Sequence, residues 1–206
     1  MIKLKPKLLG IARFLTVRTS LHGLLWLSLG TLLCTFSPVA DWLLYDAEQT
    51  RAGQIWRPLS AWLVQLNLRH WLLNQWGLVV IALLLPQRWT VSDRLGLVFV
   101  WLVASLMLVW SDYALYVGLS GLLYGWLVVV AAQSPYYSAR VRLIFIAALT
   151  VKVLAENGWL PWPLSSSSSS WVGDFIAADI AYRSHLWGLL AGLSFSALRW
   201  LVPARS

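Results

Sequence analysis

The chain has 206 residues, 59% of them hydrophobic and only 12% charged, with a formal net charge of +8 and a single cysteine. That balance excludes an ordinary soluble domain. Because about 20 apolar residues cross a bilayer, it leaves room for roughly five or six spans and little for a separate soluble domain. The basic residues sit in small groups beside apolar runs, a pattern of membrane topology rather than of nucleic-acid binding, and Cys34 alone permits neither an internal disulfide nor a thiolate metal cluster.

Residues 1–20 carry Lys3, Lys5, Lys7, Arg13 and Arg18, which predicts a cytoplasmic N-terminus. A basic stretch before an apolar one resembles a signal peptide, but no small-residue cleavage site follows, so the segment from Leu21 to Val39 is read as a retained first span. Residues 40–68 mix Asp41, Asp46, Glu48, Arg51 and Arg57 with Trp42, Trp56 and Trp62, as expected for an outer loop lying partly among lipid headgroups.

A second span runs from Arg69 to Gln87, and Arg88 and Arg94 mark a cytoplasmic turn. A third occupies Leu95 to Trp110, and a fourth opens at Gly118 and ends near Gln133. After a basic turn with Arg140 and Arg142, the fifth covers Leu143 to Ala155, with Lys152 and Glu156 four residues apart on one face. Residues 157–175 form a second outer loop whose six serines, Ser165 to Ser170, read as a flexible spacer. The last span runs from Ile176 to Val202. The expectation is a single all-α membrane domain over 1–206, a six-helix bundle with both termini cytoplasmic. Asp41, Asp46, Glu48, Asp112, Glu156, Asp174 and Asp179 fall on or near its outer side, and only Asp93 falls inside.

Polar groups at membrane depth need a partner, a cavity or a task, since a charge at a helix centre costs about 2.5–3.5 kcal/mol on insertion scales. Ser120 lies between Gly118 and Gly121 where the fourth span begins. The first N–H groups of a helix have no internal partner, so a serine there can act as a nucleophile whose amide helps hold an oxyanion; packing or capping is the plainer alternative. His185 is followed at three and seven residues by Gly188 and Gly192, which share its face and allow close approach of a neighbouring helix. A neutral imidazole on that face is suited to take a proton from Ser120 near pH 7, against the alternative of a hydrogen-bonded structural histidine. His70 and Asn74 are four apart on the second span and can donate hydrogen bonds to a developing oxyanion, or serve as an interfacial histidine and a helix-bridging asparagine. The pattern is a Ser/His dyad with no clear third member. His22 joins no metal-binding motif, and neither metal nor cofactor is expected.

Taken together, these residues resemble the rhomboid intramembrane serine proteases across nearly the whole chain. The shared elements are Trp56-Arg57 in the first outer loop, His70-x-x-x-Asn74, Gly118-x-Ser120-Gly121, and His185-x-x-Gly188-x-x-x-Gly192, in that order. The resemblance implies Ser120 as nucleophile, His185 as general base, His70, Asn74 and the Ser120 amide as oxyanion hole, and Arg57 as a structural arginine. Asn67-Leu68-Arg69-His70 and Lys152-x-x-x-Glu156 look most like the rhombosortase branch, which implies a Gram-negative inner membrane. The implied substrates are exported proteins with a C-terminal Gly-rich motif, hydrophobic helix and basic tail. Gln65 stands where many rhomboids have a histidine, Tyr124 where this branch has one, and Ser184 where alanine is usual. Lys152 and Glu156 are read as an ion pair securing the fifth helix rather than as a substrate contact. A catalytically inactive client-binding protein is the alternative, disfavoured because Ser120 and His185 are both present. A transporter would need paired broken helices and an internal repeat, neither of which is visible.

Overall fold

The computed structural model describes residues 19–86, 89–160, 171–176 and 180–201. Residues 1–18 of the basic N-terminus, Gln87 and Arg88, Pro161 and Pro163, the serine tract, Asp179, and Val202 with Arg205 lie outside the described residues. The described residues form ten α-helices, a 3-10 turn at Ala61–Leu63 and one short ribbon: α1 Thr19–Leu33, α2 Val39–Leu43, β1 Tyr45–Asp46, α3 Ala47–Arg51, α4 Arg57–Ser60, α5 Leu68–Leu84, α6 Val91–Val109, β2 Leu115–Tyr116, α7 Ser120–Gln133, α8 Ala139–Glu156, α9 Trp171–Ile176 and α10 Tyr182–Leu201. Among the described helices α6 alone is long and apolar enough to cross a membrane, while Leu21–Leu33, α5 and α7 are shorter apolar helices.

The helix starts follow from local chemistry. Asn67 caps α5 by accepting from the His70 amide, and Thr90 and Asp93 form a reciprocal capping box on α6. Ser138 caps α8 through the Val141 amide. The Ser138 cap sets the start of α8 at Ala139 rather than Leu143; the first helix ends at Leu33, before Pro38, rather than at Val39. Ile176 belongs to the separate helix α9, and α10 starts at Tyr182.

α7 is apolar around its circumference, and a helix of that kind is buried. Gly121, Leu122, Leu123, Gly125 and every residue from Trp126 to Ala131 are buried, with α5, α6, α8 and α10 packed around it. The outward faces of the surrounding helices remain apolar: Leu25, Trp26, Leu72, Trp76, Leu95, Leu102, Leu143, Ile144 and Trp200 are all exposed. So large an apolar exterior fits hydrocarbon rather than water as the surrounding medium.

The stretch 40–68 is more ordered than a plain loop, and the all-α expectation misses one feature of it. β1 pairs antiparallel with β2, Tyr45 opposite Tyr116, which ties this stretch to the residues just before Ser120. Buried Arg57 organises the same stretch: its guanidinium donates to the carbonyls of Asp41 (3.1 Å) and Leu44 (2.8 Å) and to Gln54 Oε1 (2.6 Å). Trp62 is fully buried and its indole N–H reaches both the Pro58 carbonyl and Ser105 Oγ at 2.9 Å, joining the segment to α6.

Candidate active site

The site is built at the N-terminal end of α7. Gly118 has φ +134°, a conformation that a side chain disfavours, and a methyl group there would lie 2.9 Å from His70 Cε1. Its amide donates to the Ala61 carbonyl at 3.3 Å, and its carbonyl accepts from the Tyr116 hydroxyl at 3.0 Å. Burial pushes the Tyr116 phenol well above its ordinary value, so it stays protonated and remains a donor. The turn is thereby held from both sides, and α7 begins at Ser120.

What brings Ser120 to His185 is glycine on both helices. A Cβ on Gly188 would lie 1.8 Å from the Gly121 carbonyl oxygen, one on Gly125 would lie 2.4 Å from the Gly188 carbonyl, and one on Gly192 would lie 2.5 Å from the Gly125 carbonyl. The backbones of α7 and α10 are in direct contact, a spacing that any side chain at these positions would forbid. One turn before Gly188, His185 Nε2 stands 3.0 Å from Ser120 Oγ. The residues are 65 apart in sequence.

The imidazole is gripped on every edge. Its Nδ1 lies 3.1 Å from Glu156 Oε2, the Tyr124 ring lies against it at 4.4 Å between centroids with a tilt of 31°, and the Tyr182 ring meets it edge-on at 5.9 Å. A carboxylate only accepts, so Nδ1 carries the proton and Nε2 is left to accept from the Ser120 hydroxyl. Glu156 Oε1 takes the Lys152 ammonium, and Lys152 Nζ also donates to the Tyr124 hydroxyl at 2.5 Å. Lys152 and Glu156 do form the expected ion pair, but the second carboxylate oxygen belongs to His185. The sequence reading finds no clear third member beside Ser120 and His185; in the structure the Glu156 carboxylate reaches the histidine from another helix, 29 residues away in sequence.

His70 packs against Gly118, and its Nδ1 accepts weakly from the Leu66 amide at 3.4 Å, which leaves the proton on Nε2. Asn74 is buried one turn along α5 and donates one amide hydrogen to Gln65 Oε1 at 2.6 Å. Gln65 itself is buried, and among the described residues its Nε2 has no hydrogen-bond partner. The sequence reading leaves the role of Gln65 open; the structure couples it to Asn74. Ser184 is buried, bonded through Oγ to the Ala181 carbonyl at 2.8 Å, and its own carbonyl would lie 2.9 Å from a Cβ on Gly121.

No group of three or more His, Cys, Asp and Glu side chains is gathered as a metal cage among the described residues. A recess of about 610 Å³ lined by Pro86, Ser92, Asp93, Gln133 and Arg199 opens at the other end of α7, far from Ser120.

The family model described as Rhomboid domain matches residues 52–201, a range that holds Arg57, His70, Asn74, Ser120, Glu156 and His185. Comparison with curated proteins and with solved structures returns no significant match.

Proposed function

The chain belongs to the rhomboid family, and from that membership we propose that it is an active intramembrane serine endopeptidase with Ser120 as nucleophile and His185 as general base. The family consists of integral membrane serine proteases that act on substrates embedded in the bilayer. The observation that carries the reading is the 3.0 Å contact between Ser120 Oγ and His185 Nε2, in a buried setting where the histidine is 6% exposed.

In this mechanism Ser120 Oγ attacks the scissile carbonyl while its proton passes to His185 Nε2, and the imidazolium then protonates the departing amine. The oxyanion lies at the start of α7, where the free amides of the first turn point outward. His70 Nε2–H and the second amide hydrogen of Asn74 are the further donors. Water, activated by the same histidine, then releases the acyl group. The apolar exterior favours a bundle crossing the membrane six times with both termini cytoplasmic, the shorter apolar helices serving as spans beside α6.

The rhombosortase branch is the finer assignment. It is favoured by Asn67-Leu68-Arg69-His70 and by Lys152-x-x-x-Glu156, and it makes C-terminally tailed exported proteins the substrates and a Gram-negative inner membrane the location. The test is mass spectrometry of tailed proteins from cells carrying the wild-type chain or Ser120→Ala. Wild-type cells should show a trimmed C-terminus and the variant an intact one. Equal trimming in both would overturn the nucleophile assignment, and complementation of a deletion by the variant would favour client binding without cleavage.

A further inference from the structure

Three helices meet around the imidazole in a closed circuit of contacts. His185 on α10 touches Glu156 on α8, Glu156 touches Lys152 one turn back on the same helix, Lys152 touches the Tyr124 hydroxyl on α7, and the Tyr124 ring packs against His185. The register between α8 and α10 is pinned beside it, since Asn157 Nδ2 donates to the Tyr182 carbonyl at 3.1 Å. An ion pair that merely secured α8 would need only Lys152 and Glu156. Here both carboxylate oxygens are committed, one to the lysine and the other to the ring nitrogen opposite Ser120.

We infer that Glu156 is the positioning acid of a Ser120–His185–Glu156 triad, with Lys152 and Tyr124 holding its carboxylate in place. The inference rests on the serine-protease reading and extends it. Through its bond to Nδ1–H, Glu156 holds the tautomer in which Nε2 accepts the serine proton, and its charge stabilises the imidazolium formed during attack. The proton moves only between Ser120 Oγ, Nε2 and the leaving amine; Nδ1 keeps its own, and Glu156 remains ionised throughout.

The test measures the labelling rate of Ser120 by a fluorophosphonate in the detergent-solubilised full chain, with Ser120→Ala as blank and thermal unfolding recorded for each variant. Glu156→Gln preserves shape and one acceptor oxygen but removes the charge. It should slow labelling by about 10²- to 10⁴-fold, the range expected when a triad acid becomes its amide. Glu156→Asp should label at least about tenfold faster than Glu156→Gln, and Lys152→Met should lose less than about tenfold, because the carboxylate still faces the histidine. Labelling of Glu156→Gln within about threefold of wild type, or loss in Lys152→Met as deep as in Glu156→Gln, would overturn the triad and leave the Ser120/His185 dyad standing. Absence of Ser120 labelling in the wild-type chain would overturn both readings. A ¹⁵N-histidine spectrum of the wild-type chain is independent of whether the variants fold: it should show His185 protonated at Nδ1, and an Nε2–H tautomer would refute the inference.

Discussion

Gly188→Ala places a single methyl group where two backbones touch. Its Cβ would begin 1.8 Å from the Gly121 carbonyl oxygen and 2.9 Å from the Gly121 carbonyl carbon, and the separation must open to at least 3.0 Å before the contact is tolerated. Neither partner is a side chain that can rotate away, so α10 itself must move off α7 by about 1 Å or more. His185 lies one turn before Gly188 and moves with it, which takes the Ser120 Oγ–Nε2 contact from 3.0 Å to about 4 Å, beyond hydrogen-bond reach. A misplacement of about 1 Å costs on the order of 10² in rate, or about 2.7 kcal/mol of barrier. Overpacking adds a stability loss of about 1–3 kcal/mol, at the upper end here because backbone opposes it. Fluorophosphonate labelling of Ser120 and thermal unfolding by tryptophan fluorescence read the two effects separately. Gly30→Ala on α1 is the control, since nothing lies within 4 Å of its Cβ position, and it should leave labelling unchanged. Wild-type labelling by Gly188→Ala would refute the claim that glycine contact sets the catalytic distance, as would equal damage from Gly30→Ala.

Further outcomes follow from the surroundings of the site. Arg57→Ala removes the guanidinium donors to the Asp41 and Leu44 carbonyls and to Gln54; leaving such groups unpaired should destabilise the protein by on the order of 3 kcal/mol, seen as a lower unfolding temperature. Tyr116→Phe deletes the donor to the Gly118 carbonyl at a cost of about 1 kcal/mol, and labelling of Ser120 should slow because the turn before it loosens. With burial holding the Tyr116 phenol above its ordinary value, wild-type labelling should show no loss attributable to this hydroxyl up to pH 10; an alkaline loss in wild type that Tyr116→Phe abolishes would contradict that. Gln65→Leu removes a buried amide nitrogen that has no partner among the described residues, together with the acceptor for Asn74. These effects oppose one another in stability, so the unfolding temperature should change little while labelling falls; unchanged labelling would show that the orientation of Asn74 does not matter.

Composition and local pattern determine much of this protein, because the forces they report are local or belong to the solvent. A chain so rich in apolar residues cannot leave them in water, and a backbone in hydrocarbon must bond to itself, so helices follow. Gly118 before Ser120 marks a turn into a helix, and glycines three and seven residues after His185 mark a face for close packing, both visible from spacing alone. The contact of Glu156 with His185 is hidden for the opposite reason. Lys152 four residues earlier already explains a charge in that helix, so nothing local calls for a second partner, and the histidine it meets arrives from another helix 29 residues on. Gln65 and Tyr124 stood only as departures from a pattern; their partners, Asn74, Lys152 and the His185 ring, are settled by which faces of α5, α7, α8 and α10 turn inward. The sequence by itself thus determined the helical class of the chain and the turn and close-packing face that flank Ser120 and His185. Only the tertiary structure decided the 3.0 Å between Ser120 and His185 and the carboxylate behind the imidazole, because these distances depend on how closely two backbones pack and on helix register, quantities that no single segment carries.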